Sequence, residues 1–105
     1  MIEIRIFSQA DGKISGFSVT GHSGTAERGQ DIVCAAVSSA CRLAANIITD
    51  GFHISAKAQA EDNVMLCKAE MPDERTHAVL DMLEQQLEMI CEEYPGTIKI
   101  SFSEV

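Results

Sequence analysis

The chain has 105 residues, enough for one hydrophobic core but not for two, so we expect a single domain spanning residues 1–105. Hydrophobic residues make up 46% of it and aromatic residues 5%, which excludes a disordered composition. The net charge of −8 argues against direct binding of nucleic acid, because such binding depends on Lys and Arg neutralising phosphates. The same charge favours a basic partner or serves solubility alone.

Export and membrane insertion are not expected. No run approaches the ~20 apolar residues that cross a bilayer, and the first residues alternate in polarity instead of forming a basic and then an apolar segment. The four cysteines are scattered and contain no CxxC pair, unlike a disulfide framework: Cys34, Cys41, Cys67 and Cys91. We therefore expect reduced thiols and a cytoplasmic location.

The first 21 residues predict a β-hairpin. Residues 1–8 and 13–21 alternate between apolar and polar, which is typical of half-buried strands, and residues 9–12 supply turn chemistry. Gly16 interrupts the alternation and predicts a bulge.

A loop and a helix are predicted next. Residues 23–30 show no periodicity and contain two glycines, which indicates a loop. Asp31 is a good N-cap, and small and apolar residues run from there to Gly51, which we expect to end the helix in the left-handed conformation. Because this helix is apolar nearly all round, it is expected to be largely buried.

The second half predicts another hairpin, a second helix and a last strand. Residues 52–61 and 64–70 alternate, and Pro72 and Asp73 introduce a helix over 74–94. Its predicted inner face consists of Val79, Leu83, Leu87, Ile90 and Tyr94. Met82 and Met89 lie off that face, where they fill gaps in the core or offer a surface for self-association.

Residues 97–105 complete the pattern as a strand. The order is therefore β-β-α-β-β-α-β. It predicts an α+β fold with a mostly antiparallel sheet packed by two helices.

Cys34 is the first candidate for chemistry. With Asp31 as N-cap it takes the third helical position, where unsatisfied N–H groups and the helix dipole lower the pKa of a thiol. A cysteine between Val33 and Ala35 also fits a small buried hydrophobic residue. Both interpretations stand on these residues alone.

His22 is the second candidate, twelve positions before Cys34. It ends a predicted strand beside Gly21, and the following loop leaves it free to meet the cysteine. An imidazole there would take the thiol proton and later protonate a leaving amine. A solvated strand-end histidine is the alternative.

Three residues are candidates for supporting roles. Asp31 would orient His22, Ser38 shares the helical face of Cys34, and the amide or N–H of Gln30, with the N–H of Cys34, would bind an oxyanion.

No metal site and no cofactor are expected, because the cysteines and histidines lack the close pairs of structural zinc sites. Cys41 is predicted to pack in the core. His53, on a predicted strand, and His77, in the first turns of the second helix, are predicted to be plain surface residues.

Two linked motifs resemble those of a known family. Residues 21–24 read Gly-His-Ser-Gly, and residues 29–38 read Gly-Gln-Asp-Ile-Val-Cys-Ala-Ala-Val-Ser. In this spacing, and in length and element order, the sequence resembles the ribosomal-processing cysteine protease (Prp) family of bacteria. Ser23 departs from the family, in which alanine is common there.

The resemblance implies a small cytoplasmic homodimer that removes the N-terminal extension of a large-subunit ribosomal protein, the twenty-seventh, during ribosome maturation. It implies a Cys-His dyad with His22 as general base and Cys34 as nucleophile, a thioester intermediate, and an apolar pocket beside the cysteine for a pair of aromatic residues. The loop containing Ser23, Gly24 and Gly29 is expected to close over the peptide. The basic substrate would be steered by the acidic surface.

Two alternatives come from other functional classes. One is a non-catalytic ribosome-assembly factor that binds the same protein, and the other is a thiol redox sensor that uses Cys34. The sequence favours the protease, because a binding factor needs neither a base nor a nucleophile at this spacing.

Overall fold

Five strands form one sheet in the computed structural model, which describes residues 1–21, 28–61 and 64–105. Their bounds are β1 Ile2–Ser8, β2 Ile14–Thr20, β3 Ala56–Glu61, β4 Val64–Ala69 and β5 Ile98–Glu104. The spatial order is β3-β4-β2-β1-β5, and every neighbouring pair is antiparallel except β1 and β5. Two helices, α1 Arg28–Asn46 and α2 Glu74–Glu93, complete the predicted β-β-α-β-β-α-β order. The predicted α+β fold is confirmed.

The first hairpin contains the predicted bulge. Gly16 pairs with Phe7 but Ile14 pairs with Ser8, so Ser15 is the extra residue, directly beside Gly16. A Cβ on Gly16 would overlap the carbonyl oxygen of Cys67 on β4. Glycine at this position therefore lets the two strands approach each other closely.

Both helices pack on the same face of the sheet, and the core lies between the two layers. Its most deeply buried members are Ile4, Ile6, Phe17, Val19, Val33, Val37, Cys41, Ile48, Cys67, Leu80 and Leu87. In the described part of the chain no helix covers the opposite face, where Glu3 and Arg5 are exposed. We call this uncovered side the open face.

The first helix differs from the prediction at both ends. It spans Arg28–Asn46, so residues 28–30 are helical and Asp31 is inside the first turn instead of being the N-cap. It continues as a π-helical turn, Ile47–Gly51, and the left-handed residue is His53, with φ 55°, and not Gly51. The N–H of Ile54 donates to the carbonyl of Ile48 at 2.9 Å. The chain at Phe52 and His53 therefore completes the helix, and β3 begins four residues later than predicted.

The expectation of a largely buried first helix is wrong. Ile32 is 58% exposed and Leu43 is 62% exposed, although Val33, Val37 and Cys41 on the inner side are fully buried. Segment Ile32–Gly51 also has the length and composition of a membrane span, which corrects the expectation that no such segment exists. A core helix of a globular domain meets the same criterion, and the inner side of this helix belongs to the core.

The second helix follows its local signals closely. Asp73 is the N-cap, its carboxylate accepts from the N–H groups of Arg75 and Thr76, and the Thr76 hydroxyl accepts from the Asp73 N–H in return. The buried residues are Thr76, Leu80, Leu83, Leu87 and Ile90, so the predicted inner face is shifted, with Val79 half-buried and Tyr94 exposed. Met82 and Met89 are exposed, as their place off that face predicts.

Candidate functional site

Cys34 lies in the second turn of α1 and is half-buried. Its side chain packs against the edge of the core, one residue after the fully buried Val33. Cys34 is therefore packed against the core and remains partly accessible to solvent.

The position of Cys34 relative to the helix start corrects part of the chemical argument. It is the seventh residue of α1, not the third, and the effect of the helix dipole falls off within the first turn. Because α1 spans both residues, helical geometry directs the Cys34 N–H towards the carbonyl of Gln30. The role of this N–H as an oxyanion donor stays a prediction. The N–H groups that lack intrahelical acceptors are those of the first three helical residues, which include Gln30.

Two other cysteines are sealed inside the protein. Burial raises the pKa of the Cys41 thiol to about 12, with a smaller contribution from the charge of Cys67. Burial also raises the pKa of Cys67. Since the thiolate is the nucleophilic form, the raised pKa makes both thiols less reactive than an exposed one, and the prediction that Cys41 packs in the core is confirmed.

Cys91 on α2 is half-buried like Cys34, but it has a structural contact. Its thiol donates to the backbone carbonyl of Ile98 on β5, with a sulfur-to-oxygen distance of 3.6 Å. Cys91 therefore ties the end of α2 to the last strand.

His22 lies outside the described residues, but the backbone that leads to it is defined. Gly21 follows β2 and has φ 89°, a conformation that side chains rarely tolerate. A Cβ there would also overlap the carbonyl oxygen of Met1. Gly21 thus fixes the direction in which the chain leaves β2 towards His22, which gives the first glycine of the Gly-His-Ser-Gly motif a physical role.

The supporting residues are placed as follows. Ser38 is half-buried one turn after Cys34, on the same side of α1. Gly29, predicted as part of the gating loop, is helical, and so is Gln30. Ser23 and Gly24 lie outside the described residues, as do the side chains of Gln30 and Asp31. Their predicted roles stay predictions.

His77 is not the plain surface residue that its position predicts. Its ring nitrogen Nδ1 accepts a hydrogen bond from the backbone N–H of Ile14, at 3.0 Å, and the residue is half-buried. The contact joins residues 63 positions apart, so no local pattern reveals it. His53 is exposed, as predicted, although it lies in the turn after α1 and not on a strand.

Groups of three metal-binding side chains do not occur within residues 1–21, 28–61 and 64–105. The same ranges contain an apolar groove of about 430 Å³ between the helices, which we call the interhelical groove. It is lined by Ala40, Leu43, Ala44, Ile47, Ala78, Val79, Met82, Leu83 and Gln86. It begins about 9 Å along α1 from Cys34, counting 1.5 Å per residue, so it is not the predicted pocket beside that residue.

Comparisons with known proteins agree with this architecture. A family model described as cysteine protease Prp matches residues 1–99. None of the curated proteins matches the chain.

Solved structures match over nearly the whole chain. The essential ribosomal processing protease Prp from S. aureus, in complex with a substrate peptide, has a TM-score of 0.89 at 23% identity and covers 98% of this chain and 100% of its own. With a covalently linked product peptide, that protease gives a TM-score of 0.84 at 24% identity, with the same coverage. A protein from Streptococcus mutans has a TM-score of 0.86 at 21% identity, covering 100% of this chain and 99% of its own. At these identities the likeness shows a shared fold.

Proposed function

The chain belongs to the cysteine protease Prp family, and we propose that it removes the N-terminal extension of a large-subunit ribosomal protein, the twenty-seventh, using a His22–Cys34 dyad. Family membership makes it a cysteine protease. The alternatives of a non-catalytic binding factor and a redox sensor are left without support. The observation that carries the proposal is that Cys34 on α1 is only half-buried, whereas Cys41 on the same helix is fully buried.

In the proposed mechanism, His22 takes the proton of the Cys34 thiol, and the thiolate attacks the scissile carbonyl carbon. The tetrahedral intermediate collapses to a thioester, and the imidazolium of His22 gives its proton to the leaving amine. Water, deprotonated by His22, then attacks the thioester carbonyl and releases the acid and the thiol. The base is essential here, because Cys34 lies beyond the first turn and gains little from the helix dipole.

Stabilisation of the oxyanion is assigned to the first turn of α1. The N–H groups there have no acceptor within the helix, and they precede Cys34 by one turn. Gln30 is our candidate for the oxyanion contact and Asp31 for orienting His22. Ser23, Gly24 and Gly29 remain the candidates for gating the peptide, with Gly29 at the start of the helix.

A basic ribosomal protein fits the charge of this chain. The net charge is −8, and α2 carries the exposed or half-buried carboxylates of Glu74, Asp81, Glu84, Glu88, Glu92 and Glu93. Such a surface accelerates the encounter with a cationic substrate. The S. aureus relative is described as a ribosomal processing protease, which supports the same class of substrate.

The proposed protein is a cytoplasmic homodimer that acts away from membranes and needs no cofactor. The interhelical groove supports the dimer, because Leu43 and Met82 at its rim are 62% and 61% exposed. Burying such side chains against a second copy removes apolar area from water. The reduced thiols support the cytoplasmic location.

Cleavage of a peptide tests the proposal. The substrate is the N-terminal segment of the ribosomal protein with its extension, and mass spectrometry follows the products. We expect Cys34→Ala to slow cleavage by more than roughly a thousandfold. Cys91→Ala removes an equally half-buried thiol from α2 and should stay close to wild type.

A second pair of variants tests the base. His22→Asn should abolish turnover, and His53→Asn is its control, since asparagine tolerates the positive φ of residue 53. Failure of the wild type to cut several such peptides would exclude the substrate. Cleavage that persists in Cys34→Ala would exclude the nucleophile, and cleavage that persists in His22→Asn would exclude the base.

A further inference from the structure

The charge of the protein is divided unevenly between the two sides of its sheet. Arg5, Lys57, Lys68 and Lys99 all point to the open face and are exposed, which places half of the chain's eight Lys and Arg residues there. The strands contribute only Glu3 and Glu61 as carboxylates on that face. In a chain of net charge −8, the open face is therefore locally basic.

The strand register sets these four cations along a diagonal. Lys57 pairs directly with Lys68 across β3 and β4, and Phe7 on β1 lies at the same level of the sheet. Arg5 is displaced from that level by two residues along β1. Lys99 on β5 pairs with Glu3, so it is displaced by two more residues in the same direction. With about 4.8 Å between strands and about 6.8 Å per pair of residues, the diagonal from Lys57 to Lys99 spans roughly 24 Å.

A polar depression lies at the Lys99 end of the diagonal. Its volume is about 390 Å³ and its lining includes Arg5 and Lys99. Three hydroxyl groups, those of Ser18, Thr20 and Ser101, and the carboxylate of Glu3 complete the polar lining, so two cations face one anion there. Guanidinium, ammonium and hydroxyl groups together form the donor set that binds phosphate oxygens.

In the part of the chain that the structure describes, none of these four cations forms a side-chain ion pair. Within residues 1–21, 28–61 and 64–105, side-chain ion pairs join Lys13 to Asp11 and Arg75 to Asp73, and both lie away from the open face. The ammonium of Lys68 lies over the ring of Phe7, 5.6 Å from its centroid, which keeps that charge on the sheet surface. The positive charge of the open face is thus available to a ligand.

We infer that the open face binds single-stranded nucleic acid through its phosphate backbone. A polynucleotide carries a charge on every unit and can run diagonally across strands without backbone hydrogen bonds from the sheet. An acidic peptide that adds to a sheet does so at an edge strand, through its main chain, whereas these cations cross the face. The total charge of −8 argues against such binding, but contact depends on the local field of the face. The inference does not depend on the proposed protease activity.

Fluorescence anisotropy with a labelled twelve-nucleotide uridine oligomer tests the inference on the full chain. We expect binding at low salt whose affinity falls with salt, with a log–log slope of up to about −2.8, because each phosphate on a single strand contributes about −0.7. Lys68→Gln, Arg5→Gln and Lys99→Gln should each weaken binding severalfold and reduce the slope by about 0.7. Glu3→Gln removes a carboxylate from the open face and should tighten oligonucleotide binding.

Matched controls remove the same charges elsewhere. Lys13→Gln, in the first turn, and Arg42→Gln, on α1, should leave affinity and slope unchanged, while thermal unfolding confirms that every variant folds. Equal losses from controls and open-face variants would overturn the inference, and so would absence of binding at low salt. Polyglutamate of the same charge competing as well as unlabelled oligonucleotide would also overturn it, in favour of an acidic protein partner.

Discussion

The two helices lie side by side on one sheet but are held in different ways. The second, α2, begins at a reciprocal cap between Asp73 and Thr76 and contacts strand backbone through His77 and Cys91. The first, α1, passes into a π-helical turn and exposes apolar side chains such as Leu43. It carries Cys34.

This difference in packing indicates different roles for the two helices. The contacts of α2 join β2 and β5, so this helix fixes the frame of the domain. The first helix is attached to that frame by one buried side, and its other side is exposed, where we propose that substrate or a second subunit binds. The predictions below test whether reactivity belongs to α1 and rigidity to α2.

The largest expected effect separates two thiols of α1 itself. With a pKa of about 12 against an ordinary 9.0, Cys41 has a thiolate fraction about a thousandfold below that of an ordinary thiol near pH 8. We expect iodoacetamide to modify Cys34 in the folded protein and Cys41 only after unfolding, as measured by peptide mapping. Modification of both at the same rate in the folded state would contradict the assignment.

The next effect compares one leucine from each helix. Leu87→Ala on α2 leaves a cavity at a fully buried position and should lower the free energy of unfolding by about 2–5 kcal/mol. Leu43→Ala on α1 deletes the same atoms from a residue that is 62% exposed and should stay within about 0.5 kcal/mol. Urea denaturation measures both. Equal losses would mean that α1 is as firmly packed there as α2.

A smaller loss is expected at His77. His77→Phe keeps an aromatic ring but leaves the N–H of Ile14 without its acceptor, which should cost about 1–3 kcal/mol. His77→Asn offers an amide oxygen near the place of Nδ1 and should restore part of the loss. If both variants unfold at the same urea concentration, the hydrogen bond is not what stabilises this contact.

The smallest effect is the pH dependence of the α2 cap. Hydrogen bonds from the Thr76 backbone and the Arg75 side chain lower the pKa of Asp73 from 3.8 to about 2. The folded state therefore favours the carboxylate, and this stabilisation is present above about pH 4 and is lost as the pH falls through 2.

Asp73→Asn isolates that titration, because asparagine still caps the helix but does not ionise. We expect its melting temperature to be lower than that of wild type near neutral pH and to approach it below pH 3. A constant difference between the two proteins from pH 7 to 2 would contradict the role of this carboxylate.

The sequence predicts α2 well because its signals are local. Asp73 and Thr76 are three residues apart, and the apolar positions recur with the helical period. The start of α1 differs from the prediction, since Asp31 looks like an N-cap but the helix begins before it, at Arg28. At the other end the helical run reaches Gly51 as a π-turn, but His53 takes the predicted left-handed conformation. A good cap residue in the sequence does not fix where a helix begins.

Part of the candidate site was also predictable from the sequence, because the residues that indicate it are close together in the chain. The motif around Cys34 identifies the family, and Gly21 shows why a glycine precedes His22. The hydrogen bond of His77 and the basic open face depend on residues far apart in the chain, so only the folded sheet brings them together.

The parallel pairing of β1 with β5 also has a consequence for biosynthesis. Strand β1 lies inside the sheet, between β2 and β5. The N–H of Ile2 donates to the carbonyl of Thr97, which is 95 residues later in the chain, at 3.0 Å. Until residues 98–104 have left the ribosomal exit tunnel, β1 keeps one unpaired edge, and the loop that this contact closes spans most of the protein. Folding should therefore be slow for a domain of this size, since its most distant contact closes last.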